Sequence, residues 1–205
     1  MVKRIVQFLA GVFIMGNGVA ITIRSGLGTT PINSVPLVAA TYTGISVGVT
    51  TMILNLLFVV AQFALLRRNF AKFQWVQLII AIVFGSVIDL GMTLTGWLHP
   101  QGFFQQWTTL IIGTIVVGFG VWLEVHPHLS YVPGEGLVTA ITYVTKKKLG
   151  TIKIIFDWSL VLIAIAASFI LMGELVGVRE GTIVAAFGTG YVVRLSENIY
   201  QYFKH

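Results

Sequence analysis

The chain has 205 residues, of which 56% are hydrophobic and only 10% are charged, and its formal net charge is +6. This composition is typical of a protein that crosses a membrane several times, so we expect a single membrane domain over residues 1–205. The absence of cysteine excludes disulfide bonds, thiolate metal sites and a cysteine nucleophile. Nothing in the sequence supports binding to nucleic acid.

Six apolar segments are long enough to cross a bilayer, which takes about 20 helical residues. They run over residues 5–23, 47–66, 75–95, 107–125, 151–171 and 176–195. The first is interpreted as a span and not as a signal peptide, because no small-residue cleavage site follows it. The sixth is the weakest, because Gly188, Thr189 and Gly190 interrupt it. The sequence therefore predicts an all-α polytopic membrane protein with six transmembrane helices.

Two shorter apolar stretches, 32–43 and 134–145, reach only about halfway across the bilayer at ~1.5 Å per residue. The first follows a polar segment, R-S-G-L-G-T-T-P, at residues 24–31. This segment is too polar to face lipid and too rich in glycine and proline to continue a helix. Irregular backbone at membrane depth must be enclosed by protein or line water. We therefore predict two re-entrant half-helices.

The distribution of lysine and arginine indicates the orientation. If the short stretches do not cross, both termini, the 67–74 loop and the 126–150 loop share one side of the membrane. The opposite side then keeps only Arg24 and Arg179. The positive-inside rule thus favours six spans with both termini in the cytoplasm of a bacterial cell. The residues that collect on the cytoplasmic side are Lys3, Arg4, Arg67, Arg68, Lys72, Lys146, Lys147, Lys148, Arg194 and Lys204.

The chain also matches itself without gaps at a shift of 102 residues. Four glycines coincide with glycines, and one proline coincides with a proline. A chance match of apolar sequence is the alternative, but paired glycines and prolines arise less easily by chance. The coincident pairs are Gly11 with Gly113, Gly16 with Gly118, Gly18 with Gly120, Gly48 with Gly150, and Pro31 with Pro133.

A duplication of this kind has a consequence for topology. Each half, approximately residues 5–95 and 107–197, contains three spans, so the second half is inserted upside down relative to the first. We therefore predict an inverted-topology repeat in which the two half-helices enter from opposite faces of the membrane.

The segment Leu27-Gly28-Thr29-Thr30-Pro31, followed by Ser34-Val35-Pro36, resembles a motif of the YczE/YyaS/YitT-type bacterial integral membrane proteins, especially the YczE branch. Length and hydropathy are also similar. The resemblance implies a bacterial inner-membrane protein, but it implies no substrate.

Polar residues in or beside the half-helices are the candidate substrate ligands. The N-terminal ends of half-helices carry unpaired amides and partial positive charge, which suit an anionic or carboxylate-bearing solute. Helix capping by Thr and Asn is the alternative for several of them. Asp157 also has Lys153 four residues earlier, which is the spacing of an ordinary helical ion pair. The candidates are Asn17, Arg24, Thr29, Thr30, Asn33, Asn55, Tyr131, Glu135 and Asp157.

Charged residues inside spans are candidates for coupling or gating. A carboxylate such as Asp89 costs about 2.5–3.5 kcal/mol to place at the centre of a membrane helix, so it is expected to pair. Arg24 lies at a compatible depth, which predicts an Arg24–Asp89 pair with either a structural or a gating role. In the second half, Glu124, His126 and Arg194 lie at similar depths, and a Glu124–Arg194 pair is predicted.

Three functions are compatible with this sequence. The first is a small secondary transporter or facilitator for a small polar solute, anionic or zwitterionic, with its site at the midplane between the repeats. The second is a non-transporting sensor or partner protein. The third is the substrate-binding subunit of a multi-component vitamin importer. No catalytic or metal-ligating cluster converges, so we expect neither an enzyme nor a cofactor. The expected partners are the solute and the lipid bilayer, and a homodimer is left open.

Overall fold

The computed structural model describes residues 1–127 and 129–204, and this part of the chain is helical and contains no β-strand. Two short 3₁₀ turns, Arg67–Asn69 and Lys72–Trp75, join the third helix to the fourth. The α-helices are α1 (Val2–Arg24), α2 (Pro31–Thr43), α3 (Val47–Leu66), α4 (Val76–Leu94), α5 (Phe103–Val125), α6 (Pro133–Thr145), α7 (Leu149–Met172) and α8 (Glu180–Lys204).

Five helical segments in the described residues are long and apolar enough to cross a membrane. They contain α1, α3, α4, α5 and α7, so the predicted membrane character of these segments is supported. The helix α8 is long enough but more polar, since it carries Glu180, Arg194 and Glu197. The two short helices, α2 and α6, have 13 residues each and begin at Pro31 and Pro133. Proline suits the first helical position, where its missing N–H costs nothing.

The centre of the fold is a close antiparallel contact between α1 and α5. A methyl group at Gly11 would lie 2.5 Å from the backbone nitrogen of Glu124, and one at Gly113 would lie 2.8 Å from that of Thr22. Gly18 and Gly120 make the same kind of backbone approach. Small residues let two membrane helices pack backbone against backbone. We call these four glycines the glycine seam.

The remaining helices surround the α1–α5 pair in a repeating order. The helix α4 packs along α1, where Gly16 faces Val87, and α8 packs along α5, where Gly118 faces Val192. The short helix α2 packs on α7, and α6 packs on α3. The contacts of α1 with α4 and of α5 with α8 are thus similar, as are those of α2 with α7 and of α6 with α3.

One pair of helices departs from this order. The helices α3 and α4 pack together, and Gly48 contacts the backbone of Gly85. In the described part of the second half, α7 and α8 do not pack along each other, and no atom lies within 4 Å of a methyl group built at Gly150. The exposed fraction is 2% for Phe84 on α4 and 69% for Phe187 on α8, two phenylalanines that match each other if the second half has one extra residue. The helices α7 and α8 are therefore not closed against each other as α3 and α4 are.

The polar segment between α1 and α2 is enclosed by protein. Two of its glycines adopt positive φ, +70° at Gly26 and +104° at Gly28, which side chains disfavour. The backbone oxygen of Leu27 accepts a hydrogen bond from the nitrogen of Gly181, at 3.0 Å. This contact joins the segment to the first turn of α8.

Candidate binding site where the short helices meet

The first turns of the two short helices touch each other. A methyl group at Gly134 would lie 3.1 Å from Cδ1 of Ile32 and 3.8 Å from the ring of Phe58. Residues 32 and 134 are separated by 102 positions, which is the shift at which the sequence matches itself. The neighbouring residues, Asn33 and Glu135, are therefore both brought close to the contact between the halves.

In the second half, Glu135 belongs to a group of three charged side chains. The ammonium of Lys153 on α7 lies 2.8 Å from Oε1 of Glu135 and 3.1 Å from Oδ1 of Asp157. The predicted helical pair between Lys153 and Asp157 is thus present, and Glu135 joins it from α6. The three side chains keep exposed fractions of 31%, 29% and 20% for Lys153, Glu135 and Asp157, respectively. We call them the charged triad.

The equivalent positions in the first half carry uncharged polar residues. Asn33 corresponds to Glu135, Thr51 to Lys153 and Asn55 to Asp157. All three are buried, with exposed fractions of 4%, 1% and 1%. Oδ1 of Asn33, Oγ1 of Thr51 and Oδ1 of Asn55 have no hydrogen-bond partner among the described residues. We call these residues the neutral triad.

A buried carboxylate positions the start of α6. Glu124 is fully buried at the end of α5, and its Oε1 accepts a hydrogen bond from the nitrogen of Val132, at 2.9 Å. Within the described residues its Oε2 has no partner. The predicted Glu124–Arg194 pair is wrong, because Arg194 is exposed on α8 while Glu124 points into the protein. The carboxylate instead satisfies a backbone amide ahead of the short helix, where negative charge is favourable.

Two glutamines that the sequence reasoning missed also lie against α6. Nε2 of Gln62 donates hydrogen bonds to Oε1 of Gln77, at 2.9 Å, and to the backbone oxygen of Pro133, at 3.1 Å. A methyl group at Gly136 would lie 2.7 Å from Gln77. Polar side chains within apolar segments are the signal that could have identified them, because such groups rarely face lipid.

The predicted Arg24–Asp89 pair is also wrong. Nη2 of Arg24 donates to the backbone oxygen of Met92, at 2.7 Å. The Asp89 carboxylate accepts from the Ser46 hydroxyl at 2.6 Å and from the backbone nitrogen of Gly48 at 2.7 Å. Asp89 therefore ties α4 to the start of α3, and its two oxygens are already bonded there.

Arg24 instead lines a surface cavity of about 310 Å³ at the end of α1. His99, Gln101 and Gln106 contribute polar side chains to the same cavity. Nε of Arg24 is buried and has no partner in the part of the chain that the structure describes. The cavity is thus partly polar, and none of its lining residues belongs to the charged triad.

His126 belongs to a half-buried cluster at the end of α5. Its Nδ1 lies 3.3 Å from Oε2 of Glu197 on α8, and the same oxygen accepts from the indole nitrogen of Trp122 at 2.9 Å. These contacts hold the end of α5 to α8. They place His126 outside the charged triad.

The other candidate residues have local structural partners. Asn17 donates to the backbone oxygen of Phe13, at 2.8 Å, and packs beside Gly91, which favours a role in helix packing. The hydroxyls of Thr29 and Thr22 lie 3.0 Å apart. Thr30 is the residue before α2 and accepts from Nδ2 of Asn33, at 2.8 Å. Tyr131 is half-buried in the turn before α6.

The charged triad has a chemistry suited to a small polar solute. It offers one ammonium and two carboxylates, all partly exposed, where α6 meets α7. A zwitterion matches both charges, since its carboxylate can bind Lys153 and its ammonium can bind a carboxylate of the triad. Such exchange of partners keeps every charge paired inside the protein.

Comparisons with known proteins give one family of unknown function and two uncharacterized bacterial relatives. Residues 2–198 match a family described as "Family of unknown function (DUF6198)". An uncharacterized protein of Haemophilus influenzae is 25% identical over 197 residues, which cover 96% of this chain and 84% of that protein. The uncharacterized protein YyaS of Bacillus subtilis is 24% identical over 138 residues, or 67% of each chain. These matches agree with the predicted resemblance to YyaS-type proteins. No solved structure matches.

Proposed function

The chain belongs to the family DUF6198, and we propose that it is a small secondary transporter or facilitator, which moves a small polar solute across the bacterial inner membrane. In this proposal α8 is the sixth span, α2 and α6 are re-entrant, and both termini lie in the cytoplasm. The solute is anionic or zwitterionic, and the charged triad favours a zwitterion.

An inverted repeat is supported by the order in which the helices pack. The helices α2 and α6, at 31–43 and 133–145, are offset by 102 residues, as are the first residues of α3 and α7. The antiparallel glycine seam lies between equivalent helices, and the contact of Ile32 with Gly134 joins equivalent positions. A two-fold axis that passes between α1 and α5 would produce these relationships.

The single observation that carries transport is the difference between the α3–α4 and α7–α8 pairs. The helices α3 and α4 pack together and the neutral triad is buried, whereas α7 and α8 do not pack along each other in the described residues and the charged triad is partly exposed. In an inverted repeat the equivalent ends of these two pairs, near Gly48 and near Gly150, lie on opposite sides of the membrane. One side closed and the other open is the arrangement that alternating access requires, and exchanging the two states would move the opening across the membrane.

An uptake experiment tests the proposal. Purified protein in proteoliposomes is offered a panel of labelled amino acids, betaines and small carboxylates. We expect uptake of one class by the natural protein and its loss in Lys153→Met and Asp157→Asn. Lys147→Gln, on the exposed turn between α6 and α7, is the matched control and should retain uptake. If no solute moves while the protein stays folded and monodisperse, transport is rejected.

A labelling experiment tests the topology separately. Because the chain has no cysteine, single cysteines at Asn69, Lys147 and Trp97 report their side of the membrane without background. A membrane-impermeant maleimide should react with Asn69→Cys and Lys147→Cys from the same side, and with Trp97→Cys from the other. Reaction of positions 69 and 147 from opposite sides would contradict the inverted repeat.

A further inference from the structure

We propose that the neutral triad, Asn33, Thr51 and Asn55, is a binding site for a small monovalent cation. This inference deepens the proposed function, since it assigns the ion that would be coupled to solute movement, and it rests on that function only for this coupling role. The binding itself can be measured without transport.

The first argument is the number of unsatisfied groups. Three side chains, each at least 96% buried, leave an oxygen without a hydrogen-bond partner in the described residues. Buried polar groups are normally bonded, because leaving each one unpaired costs about 1–3 kcal/mol. Three such groups at positions that converge in the other half of the repeat indicate a site that an additional species satisfies.

The second argument is what the equivalent positions hold. In the charged triad, the Lys153 ammonium lies between Oε1 of Glu135 and Oδ1 of Asp157. In the neutral triad the two carboxylates become the amides of Asn33 and Asn55, and the lysine becomes a threonine. Threonine is uncharged and supplies a hydroxyl oxygen in place of the ammonium, so a free cation would take the place of the tethered ammonium.

The third argument is the charge of the ligands. Amide and hydroxyl oxygens are hard, neutral donors, which suit alkali cations and ammonium. Calcium and magnesium sites normally include carboxylates, and the neutral triad has none. The ligand is therefore sodium, potassium or ammonium, and the burial of all three side chains would make its release depend on an opening of the surrounding helices.

Thermal unfolding of the purified protein in detergent tests the site. Sodium, potassium or ammonium chloride is titrated at constant ionic strength, with choline chloride as the replacement salt. One of the small cations should raise Tm saturably, by about 3–6 °C at about ten times its dissociation constant. A bound water molecule would be indifferent to the cation. Equal Tm in all four salts overturns the proposal.

Three variants locate the effect. The Tm of Asn55→Leu and that of Thr51→Val should not depend on the cation. If one of these variants fails to fold, the Tm of the other still tests the site. The triple change Asn33→Glu, Thr51→Lys and Asn55→Asp rebuilds the charged triad in the first half, so its tethered ammonium should abolish the cation dependence. Asn198→Ala, an exposed position on α8, is the control and should respond like the natural protein. A cation response that persists in both Asn55→Leu and Thr51→Val would place binding elsewhere and overturn the proposal.

Failure of this proposal is distinguishable from failure of transport. A cation-dependent Tm together with an absence of solute uptake would support the cation site and contradict the transport function. Solute uptake together with a Tm that does not depend on the cation would support the transport function and contradict the cation site.

Discussion

Asp89 on α4 accepts a hydrogen bond from the backbone nitrogen of Gly48 at the start of α3, with 2.7 Å between Oδ1 and the nitrogen. The Ser46 hydroxyl donates to the other carboxylate oxygen. At the place of Gly48 in the second half, Gly150 has no atom within 4 Å of its Cβ position among the described residues, so no side chain makes the equivalent contact. One half is thus tied shut by a side chain that the other half lacks.

We predict that Asp89→Ala weakens the closed α3–α4 pair. Loss of two hydrogen bonds to a carboxylate should lower the free energy of unfolding by about 1–3 kcal/mol. Asp89→Asn, which keeps one acceptor oxygen, should lose less. Thermal unfolding in detergent measures both, and an unchanged Tm for Asp89→Ala would show that the tie contributes nothing.

The glycine seam should reject even one added methyl group. Gly11→Ala places Cβ 2.5 Å from the backbone of Glu124, and such overpacking costs about 1–3 kcal/mol. Gly190→Ala on α8 is the matched control, since no described atom lies within 4 Å of its Cβ. There the better helix propensity of alanine should leave Tm unchanged or slightly raised. Equal effects of the two substitutions on Tm would be inconsistent with a backbone-to-backbone contact.

The contribution of the charged triad to stability should depend on the balance of its charges more than on any single side chain. Lys153→Met leaves two carboxylates without a cation, so we expect it to destabilise the protein by about 1–3 kcal/mol, less than a fully buried pair because the triad is partly exposed. The neutral triple variant, Lys153→Met with Glu135→Gln and Asp157→Asn, should recover most of this loss. Chemical or thermal unfolding compares them. If the triple variant is the less stable of the two, charge balance is not what the triad requires.

Glu124 should be needed for its oxygen and not for its charge. Glu124→Gln keeps an acceptor for the Val132 nitrogen, whereas Glu124→Ala leaves that amide unpaired and should cost about 1–3 kcal/mol. We expect proteolysis between residues 126 and 132 to become faster in Glu124→Ala alone. If cleavage becomes faster to the same extent in Glu124→Gln and Glu124→Ala, the stabilisation comes from the negative charge.

The helices could be predicted closely from the sequence because their signals are local. The apolar run at 47–66 matches α3, and Pro31 and Pro133 begin the short helices where proline is favourable. The sequence shows glycines that match each other at a shift of 102 residues, and the structure shows what they contact. Gly11 and Gly18 face α5, whereas Gly16 faces α4.

Pairings between helices could not be predicted, because depth along a helix does not determine which neighbour a side chain faces. Arg24 and Asp89 lie at compatible depths, but Asp89 points to the start of α3. Lys153 and Asp157 were predicted to pair from their spacing along one helix. The contribution of Glu135 depends on how α6 packs against α7, and the sequence carries no local signal for that.

The glycine seam has one further property. Gly11 meets residues 120 and 124, and Gly113 meets residues 18 and 22, so each half offers the other the surface that it receives. Such a self-complementary contact is what a symmetric dimer requires. Under the proposed duplication, a half-length ancestor with this surface could form an antiparallel dimer in the membrane. Gene fusion would then have joined the two oppositely oriented subunits into one chain.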